Sequence, residues 1–527
     1  MLDSLRVRNF RSFSDSEKNN YVNIRPLTVL LGKNSSGKSS FLRTFPLLRQ
    51  SVETDTTGPI LWYGSYVDFG AFSEVKNNST KSDEIYFDFK TSINQQKLIH
   101  YKTRRVTSLH HDYSEKHTEY IKLNVELCVS EENKKTVAKS VKIVLDGECF
   151  LFNFYNNNKC ELNIDNENIV FNYLPGHSLL PPLGKFIERK YQFKGKETIY
   201  KIFDDDYLKE FFLKKATENV KKYFHYNTSE EKLQKLIKRI GYCNRDDIYF
   251  ILEYMFSDNK FFIKNLQTRQ DEICNEFYKQ IVRLSISKIT SIVSEELENI
   301  FRNVRYIAPL RATAERYYRH QDLQVNEINH TGSNLAMLLK SLPETQKRAF
   351  SKWTQDNFGF SVRVEELGLH YALKIKNLSD KYEYNINDMG FGFSQILPIV
   401  ASIWFEANYK SDSRMRFHGS EQLIFTIEQP ELHLHPEYQA MLAKLFARVI
   451  NVNKQNRTNI FIIFETHSQT MIDTLGDCIE DEELSKNDVN IVVFDKGDNQ
   501  KFTNIDFSEF DSNGDLINWP IGFFSGR

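Results

Sequence analysis

Cysteine is scarce in this 527-residue chain. Its six cysteines, Cys128, Cys149, Cys160, Cys243, Cys274 and Cys478, form no CxxC pair and keep no regular spacing. That speaks against a zinc ribbon or a disulfide framework, and it fits reduced thiols. No run approaches the roughly 18 consecutive apolar residues that cross a bilayer, and MLDSLRVRNFRSF has no apolar leader segment. The expectation is a cytoplasmic protein with no membrane partner. Nor is there an excess of one charge: 69 basic and 70 acidic side chains leave a formal charge of -1. A wholly basic nucleic-acid coat is therefore excluded, while local basic patches are not. There is no internal repeat.

What is present divides the chain into four segments. Residues 1–80 read as strand, glycine turn and apolar-striped helix (Phe41, Leu42, Phe45, Leu48), with Pro46 predicting a kink or an early end. Residues 81–180 switch to period two: Ile121, Leu123, Val125, Leu127 and Val129 alternate with polar residues, which predicts an antiparallel β lobe. Residues 181–300 are lysine-rich and helically spaced, too weakly heptad-patterned for a long coiled coil. Residues 301–527 return to alternating strands and helices. There Tyr438, Met441, Leu442, Leu445, Phe446 and Val449 fall on one helical face. The fold class is α/β, with a β lobe and a helical insertion.

The strongest motif is Gly32-Lys33-Asn34-Ser35-Ser36-Gly37-Lys38-Ser39, followed by Ser40, a complete GxxxxGKS between an apolar strand and a helix. Glycines let backbone N–H groups wrap phosphates, a lysine reaches the β and γ oxygens, and a hydroxyl meets Mg²⁺. ATP and Mg²⁺ are thus the expected cofactors. A second apolar strand, Leu423 to Ile427, ends in Glu428-Gln429-Pro430-Glu431. Its position suits a Walker B acid, so Glu428 joins Ser39 as the expected metal side. A third, Ile460 to Phe464, ends in Glu465-Thr466-His467-Ser468, with His467 the residue expected to sense a γ-phosphate. Between them, Asp388, Gly390, Gly392, Ser394 and Gln395 stand just before the apolar run Ile396 to Trp404, either as a phosphate-binding helix start or as a simple helix cap.

The segments GKNSSGKSS, NDMGFGFSQILPIV, IEQPELHLHP and ETHS, in this order, resemble the RecF/SMC-related branch of ABC ATPases. The likeness extends to prokaryotic defence ATPases of the OLD-like and Septu (PtuA-type) groups, and includes LRVRNFRSF, YGSYVDFGAF, YIAPLR and NWPIGFF. It implies a head dimer sandwiching two ATP molecules, with Asp388 to Gln395 acting in trans and His433 and His435 at the dimer seam. The HLH histidines with Glu431 are alternatively spaced for a metal. In such ATPases the residue after the Walker B acid is the catalytic glutamate; here it is Gln429, which holds water but takes no proton. Either Glu431 assists or ATP serves mainly as a clamp with slow turnover, the reading favoured here. No Toprim or HNH pattern is visible, so the likeness implies a partner HNH nuclease, with a retron reverse transcriptase and its DNA–RNA product as further partners. The alternative is a RecF-type repair ATPase that clamps DNA. Nucleic acid, if contacted, would meet Lys214, Lys215, Lys221, Lys222, Lys235, Lys238 and Arg239, unless these form a solvated face. A second cluster is Arg311, Arg316 and Arg319, and Gln50 is a candidate nucleotide-sensing glutamine.

Overall fold

The computed structural model describes residues 1–98, 120–165, 167–173, 178–183, 185–193, 196–204, 206–319, 325–409, 422–456, 459–497 and 500–518. All of NWPIGFF but its first residue lies outside them. The chain forms two compact units, one of residues 2–54, 60–87 and 299–527, the other of residues 55–59 and 88–298 with Met1.

In the first unit the apolar runs become strands β1 (Leu2–Arg8), β2 (Leu27–Gly32), β3 (Val304–Ile307), β4 (Leu423–Glu428), β5 (Ile460–Glu465), β6 (Val489–Asp495) and β7 (Asn504–Phe510). A sheet runs in the order β3-β4-β5-β2-β6-β7 and ends at Leu516–Ile517. From β3 to β6 every pairing is parallel. Every residue of β2, β4 and β5 is buried, because helices cover both faces of a parallel sheet and leave no wet side. The interleaving brings the front of the chain between two strands from its back, so β2 lies beside β5 and β4 lies one strand further on.

The helices of this unit are α1 (Lys38–Leu42), α2 (Thr44–Glu53), α3 (Phe391–Trp404), α4 (Pro436–Asn456) and α5 (Gln469–Glu480). On α4 the predicted face is realised: Leu442, Leu445 and Phe446 are buried in the core, with Tyr438, Met441 and Val449 packed against it. The break expected at Pro46 falls earlier, at Arg43 between α1 and α2. Pro46 then sits in the first turn of α2, where no carbonyl needs its missing N–H, so it is tolerated without a kink.

In the second unit five strands, Tyr120–Glu132, Lys135–Leu145, Glu148–Tyr155, Lys159–Ile164 and Glu167–Asn172, form the antiparallel meander that the period-two pattern predicted. The helical reading of 181–300 needs one correction. Its start is a hairpin, Lys185–Phe193 with Lys196–Asp204, and helices begin only at Asp206. The alternating residues of KFIERKYQF and KETIYKIFD suit a pleated pair as well as a helix, and strand pairing decides between them. The last helix, Gln270–Arg302, is held to the meander turns by Lys279 on Asp165 (2.7 Å) and by Arg283 on Glu148 (2.8 Å) and Asp165. Of the basic residues assigned to nucleic acid, Lys215 pairs with Glu167 (3.1 Å) and Lys221 with Glu230 (2.5 Å), as on a solvated face.

Phe464, fully buried on β5 with its ring 5.2 Å from that of Phe446, is a core element of the first unit. Phe464→Ala is expected to lower the stability of that unit by about 3–5 kcal/mol, read by chemical denaturation with a probe confined to it.

Candidate functional site

The loop after β2 is shaped by two glycines that no other residue replaces. A Cβ at Gly32 would lie 2.3 Å from the Phe494 carbonyl oxygen, and one at Gly37, whose φ is 101°, would lie 2.7 Å from Ser12 Oγ. Thr503 fastens the loop from outside, donating to the Ser36 carbonyl at 2.8 Å. Lys33, Asn34 and Ser35 are exposed, whereas Ser36 and Lys38 are buried. Lys38 Nζ donates to the carbonyls of Gly32 and Lys33, both at 2.8 Å. Burial lowers its pKa, and the nearby Glu465 and Glu431 carboxylates oppose that shift. Ser36 Oγ is buried with no partner among the described residues.

Beside the loop, β4 and β5 end in glutamates paired in register, Glu428 with Glu465. Both are buried, but their surroundings differ. Glu428 accepts from Arg43 Nε on one oxygen and from an Arg43 terminal nitrogen on the other, each at 2.7 Å, and from the Tyr306 hydroxyl at 2.5 Å. The carboxylate holds the Arg43 guanidinium well above its usual value, and burial raises the Tyr306 phenol. Glu465 feels the Arg43 charge without a hydrogen bond to it, and accepts from Ser39 Oγ at 2.8 and 3.0 Å. Burial, with Glu428 next to it, pushes its carboxyl up to about 7. The Ser39 hydroxyl meets Glu465, while Glu428, expected with Ser39 on the metal side, is bonded to Arg43 and Tyr306.

Glu431 also turns inward. Its Oε1 accepts from the His467 backbone N–H at 2.7 Å, its Oε2 is buried and unpartnered, and burial raises its pKa. Solvent reaches the His467 ring, yet packing, with the Lys38 ammonium nearby, lowers its pKa, so it is neutral at pH 7. Gln429 adopts a left-handed φ of 41° at the tip of β4. Arg311, buried beneath, donates to the Glu428 carbonyl at 2.9 Å; burial pushes its guanidinium down to about 10, still charged at neutral pH.

The glycine-rich segment leads into α3. Ser394 and Gln395 are buried, Ser394 Oγ accepting from the Ala314 N–H (3.4 Å) and Gln395 Nε2 donating to the Arg311 carbonyl (3.4 Å). Asp388 is exposed and paired with Arg316. Gly390 and Phe391 are exposed at the helix start; Gly392 packs against His433, where a Cβ would lie 3.6 Å from the carbonyl oxygen. Among the described residues no group of three His, Cys, Asp or Glu side chains is arranged to hold a metal, so the HLH alternative finds no support. Gln50 is buried and holds the 61–67 loop through the Leu61 carbonyl (2.7 Å) and the Val67 N–H (3.1 Å).

One sheet edge thus gathers a phosphate loop, its lysine and hydroxyl, two acids and a histidine from both ends of the sequence. A family model described as AAA ATPase domain (AAA_15) matches residues 1–472. The chain belongs to that family. No curated protein matches this AAA ATPase. Among solved structures it is similar to an Smc head bound to the C-winged helix domain of ScpA (9% identity, 97% of this chain and 98% of that one, TM-score 0.35). It is similar also to an Smc head domain with a coiled coil and joint from Pyrococcus yayanosii (10% identity, 97% and 98%, TM-score 0.32).

The residues fit an ATP–Mg²⁺ group. The two glycines let the loop turn tightly against Phe494 and Ser12, Lys38 rests on carbonyls it can exchange for phosphate oxygens, and the buried Ser36 hydroxyl has no partner among the described residues. Sequence reasoning missed Arg43 and passed over Glu465; it noted Tyr306 and Arg311 only within the YIAPLR segment and a basic cluster, without a place beside Glu428. Yet Glu465 ends an apolar strand just as Glu428 does, a signal that was there to find. Arg43→Ala leaves a buried, unpaired carboxylate. We expect a loss of about 2–3 kcal/mol, less than for a fully buried pair because Arg43 is 39% exposed. Combining it with Glu428→Gln should recover most of the loss in a denaturation titration.

Proposed function

We propose that this AAA ATPase binds ATP with Mg²⁺, turns it over slowly, and uses the bound nucleotide to close two copies of the chain. The observation that carries the reading is the meeting of Lys38 and Ser39 with Glu465, Glu431 and His467 at the ends of β2 and β5. Lys38 and the loop N–H groups would hold the β and γ phosphates, Ser39 and an acid the metal side, and His467 the γ end. Magnesium, when bound, supplies positive charge against the triphosphate. Gln429 orients a water without taking its proton, and the inward Glu431 shares one oxygen with the His467 N–H, so general-base help is weak and turnover is slow. Gln429→Glu is expected to raise the steady-state ATPase rate, measured as phosphate release; an unchanged or lower rate counts against slow turnover by this cause.

Closure is supported by Phe391, 60% exposed at the start of α3 with its ring 6.0 Å from that of the exposed His433. An exposed aromatic beside exposed glycine backbone is a surface suited to a second copy. Phe391→Asp should reduce ATP-dependent dimerisation in light scattering while each chain still binds ATP.

The motif resemblance supports a role as the ATPase subunit of a bacterial antiphage complex, in which the closed dimer controls a partner HNH nuclease, with a retron reverse transcriptase and its DNA–RNA product as further members. A RecF-type clamp on DNA is the second reading, favoured by the same resemblance. Co-purification with the products of neighbouring genes, weighed with and without ATP, separates them. Lys38→Ala should abolish ATP binding and phage protection together, and protection by a variant that binds no ATP would refute the defence reading.

A further inference from the structure

We propose that the second unit carries a binding site for a compact phosphate monoester, in a cavity walled by Lys209, Lys238, Lys288 and Ser287. The cavity is built from that unit alone, whereas the phosphate loop belongs to the first.

Helical spacing gives the first argument. On helix Asp206–Lys221, Lys209 and Leu213 stand at i and i+4; on helix Gln270–Arg302, Leu284, Ser287 and Lys288 stand at i, i+3 and i+4. Each set therefore shares one face of its helix. With the end of helix Glu230–Ile237 and the turn that follows it, the two faces line a cavity of about 230 Å³. That volume is below the roughly 300–1,000 Å³ of sites for drug-sized ligands, so it selects a small one.

Charge gives the second. Three lysines line the cavity, and among the described residues of its wall there is no aspartate or glutamate. Asp146, which the wall residue Tyr242 meets through its hydroxyl at 3.3 Å, also accepts from the Tyr278 hydroxyl. Like charges gathered in one cavity repel, and a bound anion relieves them. Solvent reaches Lys288, whose ammonium donates to the Leu98 carbonyl at 3.2 Å; packing, with the Lys209 charge near it, lowers its pKa. An ammonium with one such bond keeps two further donors for an anion.

The third observation is a hydroxyl without an acceptor. On the long helix, Ser285, Thr290 and Ser291 each donate to the carbonyl four residues back, at 2.8, 2.9 and 3.1 Å. Ser287, only 7% exposed, has no partner for its Oγ among the described residues. A buried hydroxyl left so is costly, and an anion in the cavity supplies the acceptor. A phosphate monoester meets these features together: close to two negative charges and three acceptor oxygens, set against three ammoniums and a hydroxyl. Leu213, Ile237 and Leu284 on the same wall leave an apolar side for the organic group of the ester.

The test is isothermal titration of the full-length Lys38→Ala protein with phenyl phosphate, inorganic phosphate, benzoate and benzyl alcohol; the substitution keeps the phosphate loop from reporting. Phenyl phosphate should bind saturably and at least about tenfold tighter than the other three. Lys209→Ala and Lys288→Ala, each checked for a folded melting transition, should weaken it at least about tenfold, and Ser287→Ala about threefold. Lys264→Ala, on the exposed side of helix Lys260–Thr268 and outside the cavity wall, should leave it unchanged. Benzoate bound as tightly as phenyl phosphate, equal losses in Lys264→Ala and Lys288→Ala, or no saturable binding of phenyl phosphate each overturns the proposal.

Discussion

Two buried glutamates stand side by side at the strand ends of a parallel sheet, and only one of them is gripped by an arginine fork. Two carboxylates on neighbouring strands repel, and burial strengthens the repulsion, so the pair is relieved by nearby positive charge and by a proton held more readily on Glu465. Arg43 brings that charge to Glu428, from the break between α1 and α2. The same residue thus ends the phosphate-loop helix and anchors it to β4, which couples the front of the chain to its back. Ser39 makes the parallel contact to β5 through Glu465. These two side-chain links hold the loop against the strand ends, and the rest of the site is arranged around them.

Beneath that edge the site is built from polar groups under tension. Arg311 is buried with two guanidinium nitrogens unpartnered, and Glu431 Oε2 and Gln395 Oε1 are buried and unpartnered too. Unmet polar groups are costly in a core, and their concentration here, under the tips of β4 and α3, marks a place whose bonding changes when ligand, water or a second chain arrives. The strands beneath, β2, β4 and β5, are buried along their whole length, and Thr426 Oγ1 on β4 is unpartnered as well. Rigid strands and an incompletely satisfied polar edge are the combination that lets a site respond without the sheet deforming.

The two units also divide labour in their chemistry. The first holds the GxxxxGKS loop and the strand ends that face it. The second is a meander backed by helices, tied by exposed and half-exposed ion pairs such as Lys279 with Asp165, which contribute little stability each but fix which turn meets which helix. Among its lysines, Lys215 and Lys221 pair with Glu167 and Glu230 across the surface.

The sequence by itself determined the class of chemistry. A phosphate loop is local: eight residues between a strand and a helix specify the turn, because only glycine fits where Gly32 and Gly37 come within van der Waals limits of their neighbours. The period-two run of 121–129 and the apolar face of 438–449 were legible for the same reason, since each repeats within a few residues. What only the tertiary structure decided was pairing between distant strands. Whether Glu428 or Glu465 meets Ser39 depends on which strand inserts beside β2, and no spacing in the sequence encodes that order. Whether 185–204 is helix or hairpin depends on a partner strand rather than on its own pattern. The contacts of Arg43 and Tyr306 with Glu428 were not legible either, because long-range packing, not local periodicity, brings those groups together.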